Sequence, residues 1–170
     1  MRETPVPPWR LFLGLWPSPA TRAAIVEHAQ AWHWPDAARR TLDERLHITL
    51  HFIGDVDADR VPALRDGLRC DWPGCTLELD RCEVWPGGIA VLEAGTVPPA
   101  LAGLHACLGD ALKRLDLPVE TRRFRPHVTL ARKAQNARPP ASAALRWEAG
   151  PGYGLMRSVA GSYLPVHRFG

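Results

Sequence analysis

The sequence predicts an α+β fold made of two similar halves. Three observations carry this. Short apolar, strand-like runs outnumber helical stripes by roughly seven to three. The tetrapeptide His-apolar-Thr-Leu occurs twice, eighty positions apart. Each occurrence follows a segment with helical signals, so each half reads as helix then strand.

The elements follow in order. Arg10 to Trp16 is an apolar run that suits a buried strand. Ser18 is a fitting N-cap and Pro19 fits the first helical position, so a helix is expected to about Trp32. Leu46 to Ile53 reads as a second strand, stopped by Gly54-Asp55. Val61, Leu64 and Leu68 recur at helical spacing, giving a helix over about Asp57 to Arg69. Pro62 falls in its first turns, where no backbone donor is needed. Cys75 to Trp85 and Ile89 to Glu93 read as two strands joined by a Pro86-Gly87-Gly88 turn. Leu101, Leu104, Leu108, Leu112 and Leu115 make the clearest helical stripe. Phe124 to Arg132 is a strand, followed by a loop to about Ala144. Short strands near Leu145–Trp147, Leu155–Val159 and Ser162–Val166 end the chain.

The chain has 170 residues, 46% hydrophobic and 23% charged, with a net charge of +3. That length fits one domain over 1–170 with a substantial core. A mild positive excess is compatible with a polyanionic partner but does not require one. No apolar run reaches the roughly 18 residues of a membrane span, and Leu11 to Trp16 is too short for the core of a signal peptide. A cytoplasmic, monomeric protein is expected. Cys70, Cys75, Cys82 and Cys107 show no CxxC spacing, so free thiols in a reducing compartment are expected, with no disulfide framework and no zinc site.

The repeated motif carries the chemistry. Its copies are His47-Ile48-Thr49-Leu50 and His127-Val128-Thr129-Leu130, and no other His-x-Thr occurs. Side chains alternate faces along a strand, so His47 and Thr49 share one face and Ile48 and Leu50 the other. His127 and Thr129 behave likewise. If the two strands lie together, two imidazoles and two hydroxyls converge. A neutral imidazole can activate water and an imidazolium can protonate a leaving oxygen. Threonine hydroxyls can bond the phosphate oxygens on which charge develops. The set suits cleavage of a phosphodiester, and no cofactor or metal is expected.

These residues resemble the two-histidine phosphoesterase superfamily, and within it the bacterial and archaeal RNA 2′,3′-cyclic phosphodiesterases, historically called 2′-5′ RNA ligases. Arg10 to Pro17, Leu46 to Asp55 and Phe124 to Arg132 are similar to that family's first strand, first motif and second motif. The resemblance implies a bilobal fold, two pseudo-symmetric lobes of antiparallel sheet with outer helices around a central cleft. It implies hydrolysis of a terminal 2′,3′-cyclic phosphate to a 2′-phosphomonoester, with weak 2′-5′ ligation in reverse. It makes His47 the acid, His127 the base, and Thr49 and Thr129 the phosphate holders. The partner implied is RNA with a cyclic phosphate end. The alternatives are a small cyclic nucleotide, such as ADP-ribose 1″,2″-cyclic phosphate, or a binder without turnover. The ending Val166-His167-Arg168-Phe169 departs from the family's basic-aromatic-aliphatic finish and receives no role.

Between Thr121 and Arg138 lie six cationic residues and no acidic one. Of these, Arg125 and Arg132 are candidate substrate contacts, although strict alternation turns Arg132 away from His127 and Thr129. The same alternation puts His51 on the face of His47, where it could line a groove, with a structural role favoured. Phe52, Trp85 and Trp32 are candidates for stacking on a base, against a core role for each. His28, His33, His105 and His167 are left structural.

Overall fold

Ser18 accepts from the Thr21 amide at 3.2 Å and opens α1 (Pro19–Gln30) after β1 (Trp9–Leu15), as the N-cap signal predicts. The structure is a computed structural model and describes residues 4–170. A two-residue strand that the sequence does not announce, β2 (Arg39–Arg40), precedes β3 (Ile48–Val56) and α2 (Val61–Gly67). A 3-10 turn over Ala58–Arg60 leads into α2. The expected long strand from Cys75 breaks at Asp80 into β4 (Cys75–Leu79) and β5 (Arg81–Trp85). Asp80 donates its backbone N–H to the Glu93 carbonyl, and its carboxylate accepts from the Gly95 amide; this bond pair turns the chain. Then come β6 (Ile89–Glu93), α3 (Pro99–Arg114), β7 (His127–Arg132), β8 (Leu145–Ala149), β9 (Tyr153–Val159) and β10 (Ser162–Phe169).

The main sheet has eight strands in the order β10-β9-β1-β3-β7-β6-β5, with β2 on β7; β4 and β8 form a separate pair. All of these ladders are antiparallel. The fold is therefore α+β, and its two lobes are the halves of one sheet. They join where β3 meets β7 through a single pair, Ile48 opposite Val128. Beyond that pair the strands part, and β2 takes the place beside β7.

α3 backs the first lobe. Leu101, Leu104, Leu108 and Leu112 of its stripe are buried, each contributing about 1.5–3 kcal/mol relative to exposure. Gly109 lets the helix approach β3: a Cβ there would stand 3.6 Å from the His51 ring. The α3 side chain Cys107 is bonded to Cys70, which follows α2. This corrects the expectation of four free thiols. The two cysteines are 37 residues apart, and only the docking of α2 and α3 on one lobe brings them together. Cys75 and Cys82 are free. Tyr153 fastens the same corner, donating to Leu68 O at 2.7 Å and accepting from Cys70 N at 2.8 Å. No helix of the described residues is long and apolar enough to cross a membrane.

Candidate active site

The two motifs begin their strands and face each other across the Ile48–Val128 pair. An antiparallel register centred there sets His47 across from Thr129 and Thr49 across from His127. Ile48, Leu50, Val128 and Leu130 are buried, so the apolar members anchor the strands while the polar members face out. His47, Thr49, His127 and Thr129 line one cleft of about 800 Å³.

Each imidazole is oriented in the same way. His47 Nδ1 donates to Arg45 O at 2.7 Å, and His127 Nδ1 donates to Arg125 O at 2.7 Å. A carbonyl only accepts, so Nδ1 carries the proton and Nε2 of each ring is left for chemistry. His47 Nε2 lies 3.0 Å from the Thr49 hydroxyl, which donates to it when the ring is neutral.

The surroundings of the two rings differ. Trp16 stacks on His47 at 4.8 Å between centroids and 8° between planes, with Phe12 at 5.2 Å and Tyr163 at 5.3 Å. His127 meets Trp85 at 4.4 Å and stands across the ladder from Glu93. Burial lowers the pKa of both rings. The carbonyl bonds oppose this in each case. The charges of His127 and Arg45 lower His47 further. Around His127, Glu93 raises the pKa while Arg125 and Arg132 lower it. Both rings thus favour the neutral form in the free protein.

A bulge follows each motif. Leu13 pairs with His51 and Gly14 with Thr49, leaving Leu50 as the extra residue of β3. Ala90 pairs with Ala131 and Val91 with Thr129, leaving Leu130 as the extra residue of β7. A bulge resets the alternation of faces. His51 therefore turns inward, donating from Nε2 to His105 O at 2.8 Å and stacking on the His105 ring. The expectation that it shares the face of His47 is corrected. Arg132 turns into the cleft, against the strict alternation that pointed it away. Phe52, at the matching place in the first lobe, is exposed and lines the cleft.

Arg125 does not line the cleft. Its guanidinium bonds Glu93 at 2.7 and 2.8 Å and Glu83 at 3.3 Å, and lies over the Trp85 ring. It reaches the site through its carbonyl. Trp85 stands beside His127 and donates to Glu83, whereas Trp32 is buried and donates to His28. His28 and His105 have packing roles: both rings bond or stack with neighbours in the interior.

The sequence reading missed several residues of the site. Arg10, Arg39, Arg40, Arg45, Thr41 and Tyr163 line the cleft. Arg-Arg at 39–40 was a visible basic pair, but nothing local showed that it pairs with β7. Among the described lining residues none is acidic. Among the described residues no cluster of three or more His, Cys, Asp or Glu side chains is placed to hold a metal ion. The arrangement offers two proton-transfer groups, two hydroxyls and a cationic wall to a phosphodiester.

The chain is similar to known proteins in sequence and in fold. The family model of the 2′-5′ RNA ligase superfamily matches residues 17–152. The RNA 2′,3′-cyclic phosphodiesterase of Escherichia coli strain K12 is 35% identical over 133 residues, 76% of this chain and 75% of that protein. The crystal structure of E. coli LigT complexed with 3′-AMP superposes with a TM-score of 0.83 at 28% identity, covering 95% of this chain and 97% of that one. LigT complexed with phosphate gives a TM-score of 0.80 at 28% identity, covering 96% and 97%. With a family match over most of its length, the chain belongs to the 2′-5′ RNA ligase superfamily, the two-histidine phosphoesterases.

Proposed function

We propose that this protein hydrolyses the 2′,3′-cyclic phosphate at the end of an RNA, leaving a 2′-phosphomonoester. The observation that carries the reading is the pair of imidazoles in one cleft, each with Nδ1 held by a carbonyl, on motifs joined at Ile48–Val128.

In this mechanism the phosphate lies between the rings. Neutral His127 Nε2 takes a proton from water as the water oxygen bonds phosphorus. The bond from phosphorus to the 3′ oxygen breaks, and His47 Nε2–H gives that oxygen its proton. Burial favours the neutral form of both rings, and an arriving phosphate anion raises the pKa of the imidazole it touches, so the pair carries one proton taken up from solvent and that ring becomes the acid. Thr49 turns from His47 Nε2 to a phosphate oxygen, and Thr129 bonds another. Arg132 holds the anion from the second lobe, and Phe52 offers its ring to a base. Arg125 is a positioning residue that fixes His127 through its carbonyl.

The test is an RNA oligomer ending in a 2′,3′-cyclic phosphate, incubated with the protein and EDTA. The expected product is the 2′-phosphate; absence of product at high protein concentration rejects the reading. A small cyclic nucleotide is the second reading, supported by a relative that binds the mononucleotide 3′-AMP. Comparing kcat/KM on the two substrate classes separates them.

A further inference from the structure

The cleft is wider and more cationic than one phosphate requires. Six arginines and Lys133 line it, with no described carboxylate among its walls. Within this set β2 stands out. Arg39 pairs with Arg132 and Arg40 with Ala131, so Arg39 and Arg132 are cross-strand neighbours. Like charges so placed repel. Neither Arg39 nor Arg40 forms an ion pair with a described residue. The repulsion is thus left for a bound anion to relieve.

The strand is also held in place. Thr41 donates its N–H to Leu130 O at 2.9 Å and its hydroxyl to Thr129 O at 2.8 Å. β2 is therefore fixed to the backbone of the second motif. Arg40 lies over the Trp34 ring at 5.6 Å, and that ring is stacked on Trp32 and donates to Ala29 O at 2.9 Å. β2 therefore carries one guanidinium laid against a fixed ring, beside the exposed Arg39. Arg39 stands across the ladder from Arg132, three residues beyond Thr129, so β2 extends the cationic wall of the cleft past the histidines.

Resting on the reading of the site as an RNA-end phosphodiesterase, we infer that Arg39 and Arg40 form a second phosphate subsite that takes the phosphodiester on the 5′ side of the terminal nucleoside. The protein then reads at least two phosphates, and an oligonucleotide is its preferred substrate over a mononucleotide with the same end.

The experiment compares cytidine 2′,3′-cyclic phosphate with a trinucleotide ending in the same group. The wild type is expected to favour the trinucleotide in kcat/KM by about 10-fold to 100-fold, the range for charge-assisted phosphate contacts. Arg39→Ala/Arg40→Ala is expected to erase most of that preference, with the fall on the trinucleotide side. The slope of log kcat/KM against log salt on the trinucleotide should flatten by about 0.7 for each phosphate that the two arginines neutralise in the wild type. Arg39→Lys/Arg40→Lys should restore part of both effects. A thermal melt matching the wild type shows that each variant is folded before its kinetics are compared. Equal rates of the wild type on both substrates, or equal losses of the double variant on both, would overturn the subsite and leave the phosphodiesterase reading standing. A wild type inactive on both would remove that reading, and the subsite with it.

Discussion

Phe52 and Arg132 occupy equivalent places in the two lobes, each two residues past a bulged leucine that follows a histidine–threonine pair. The bulges at Leu50 and Leu130 turn both side chains into the cleft, where strict alternation would bury them. The duplication thus extends beyond the motif, but the lobes differ in what they present. The first offers an aromatic ring and the second a guanidinium. Arg132→Ala is expected to raise KM for the oligonucleotide by roughly 10-fold with little change in kcat, because it removes one charged group remote from proton transfer. Steady-state kinetics measure this, and a loss confined to kcat would contradict it.

The pH profile follows from burial. Both histidines have pKa values lowered from 6.5, chiefly by desolvation. The free protein is competent with one proton on the pair, a form most populated between the two pKa values. The optimum of kcat/KM is therefore expected below 6.5. Glu93→Gln removes a charge that raises His127, so the limb controlled by the base should move to lower pH. A ¹⁵N titration of the two rings checks the direction, and inorganic phosphate should raise at least one of them. An optimum above about 7.5 would contradict the account.

Gly14 faces Thr49 across the ladder, and a Cβ there would stand 2.7 Å from the Trp16 ring and 3.1 Å from Ile48 O. Trp16 stacks on His47, so Gly14→Ala is expected to displace the acid. Turnover should fall by roughly 10-fold to 100-fold, the scale of a misplaced group. Wild-type turnover would show that Trp16 does not set the ring's position.

A stacked histidine pair, His51 buried and His105 half-buried, makes the fold acid-sensitive. Burial and the neighbouring His51 hold His105 down to about 4, and His51 is lowered as well. The unfolded chain takes up these protons from about pH 6.5 downward while the folded chain resists. Stability should therefore be full above about pH 6.5 and fall progressively toward about pH 4. Denaturant melts at several pH values test this, and His105→Phe should shallow the loss. A stability that is flat across this window would contradict it.

The Cys70–Cys107 bond closes a 37-residue separation and ties α2 to α3 away from the cleft. Removing it by reduction or by Cys70→Ala/Cys107→Ala is expected to cost about 2–4 kcal/mol of stability. Turnover at room temperature should persist. Thermal melts with and without reductant measure the first, and the standard assay the second.

The paired motif was legible because it depends only on local alternation around His47, Ile48 and Thr49. The strands and helices were legible for the same reason, as in the stripe from Leu101 to Leu112. What lay hidden depends on a partner. The bulges at Leu50 and Leu130 exist only against β1 and β6, so the inward turn of His51 and the cleft-ward turn of Arg132 followed no local sign. Arg39 and Arg40 join the site through β7, and Tyr163 reaches it from β10. Glu93, a buried carboxylate at the end of an apolar strand, was a detectable anomaly, and Arg125 proved to be its partner.

The central claim is that His47 and His127 divide the proton transfers at one phosphate. The most direct measurement is single-turnover cleavage of a cyclic-phosphate RNA by His47→Ala and His127→Ala, alongside an ester with a nitrophenolate leaving group. Each variant should lose about 10²-fold to 10⁴-fold on the RNA. The nitrophenolate needs no proton, so it should rescue His47→Ala and leave His127→Ala impaired. Rescue of His127→Ala alone would exchange the two roles, and wild-type rates in both single variants would contradict the paired mechanism itself.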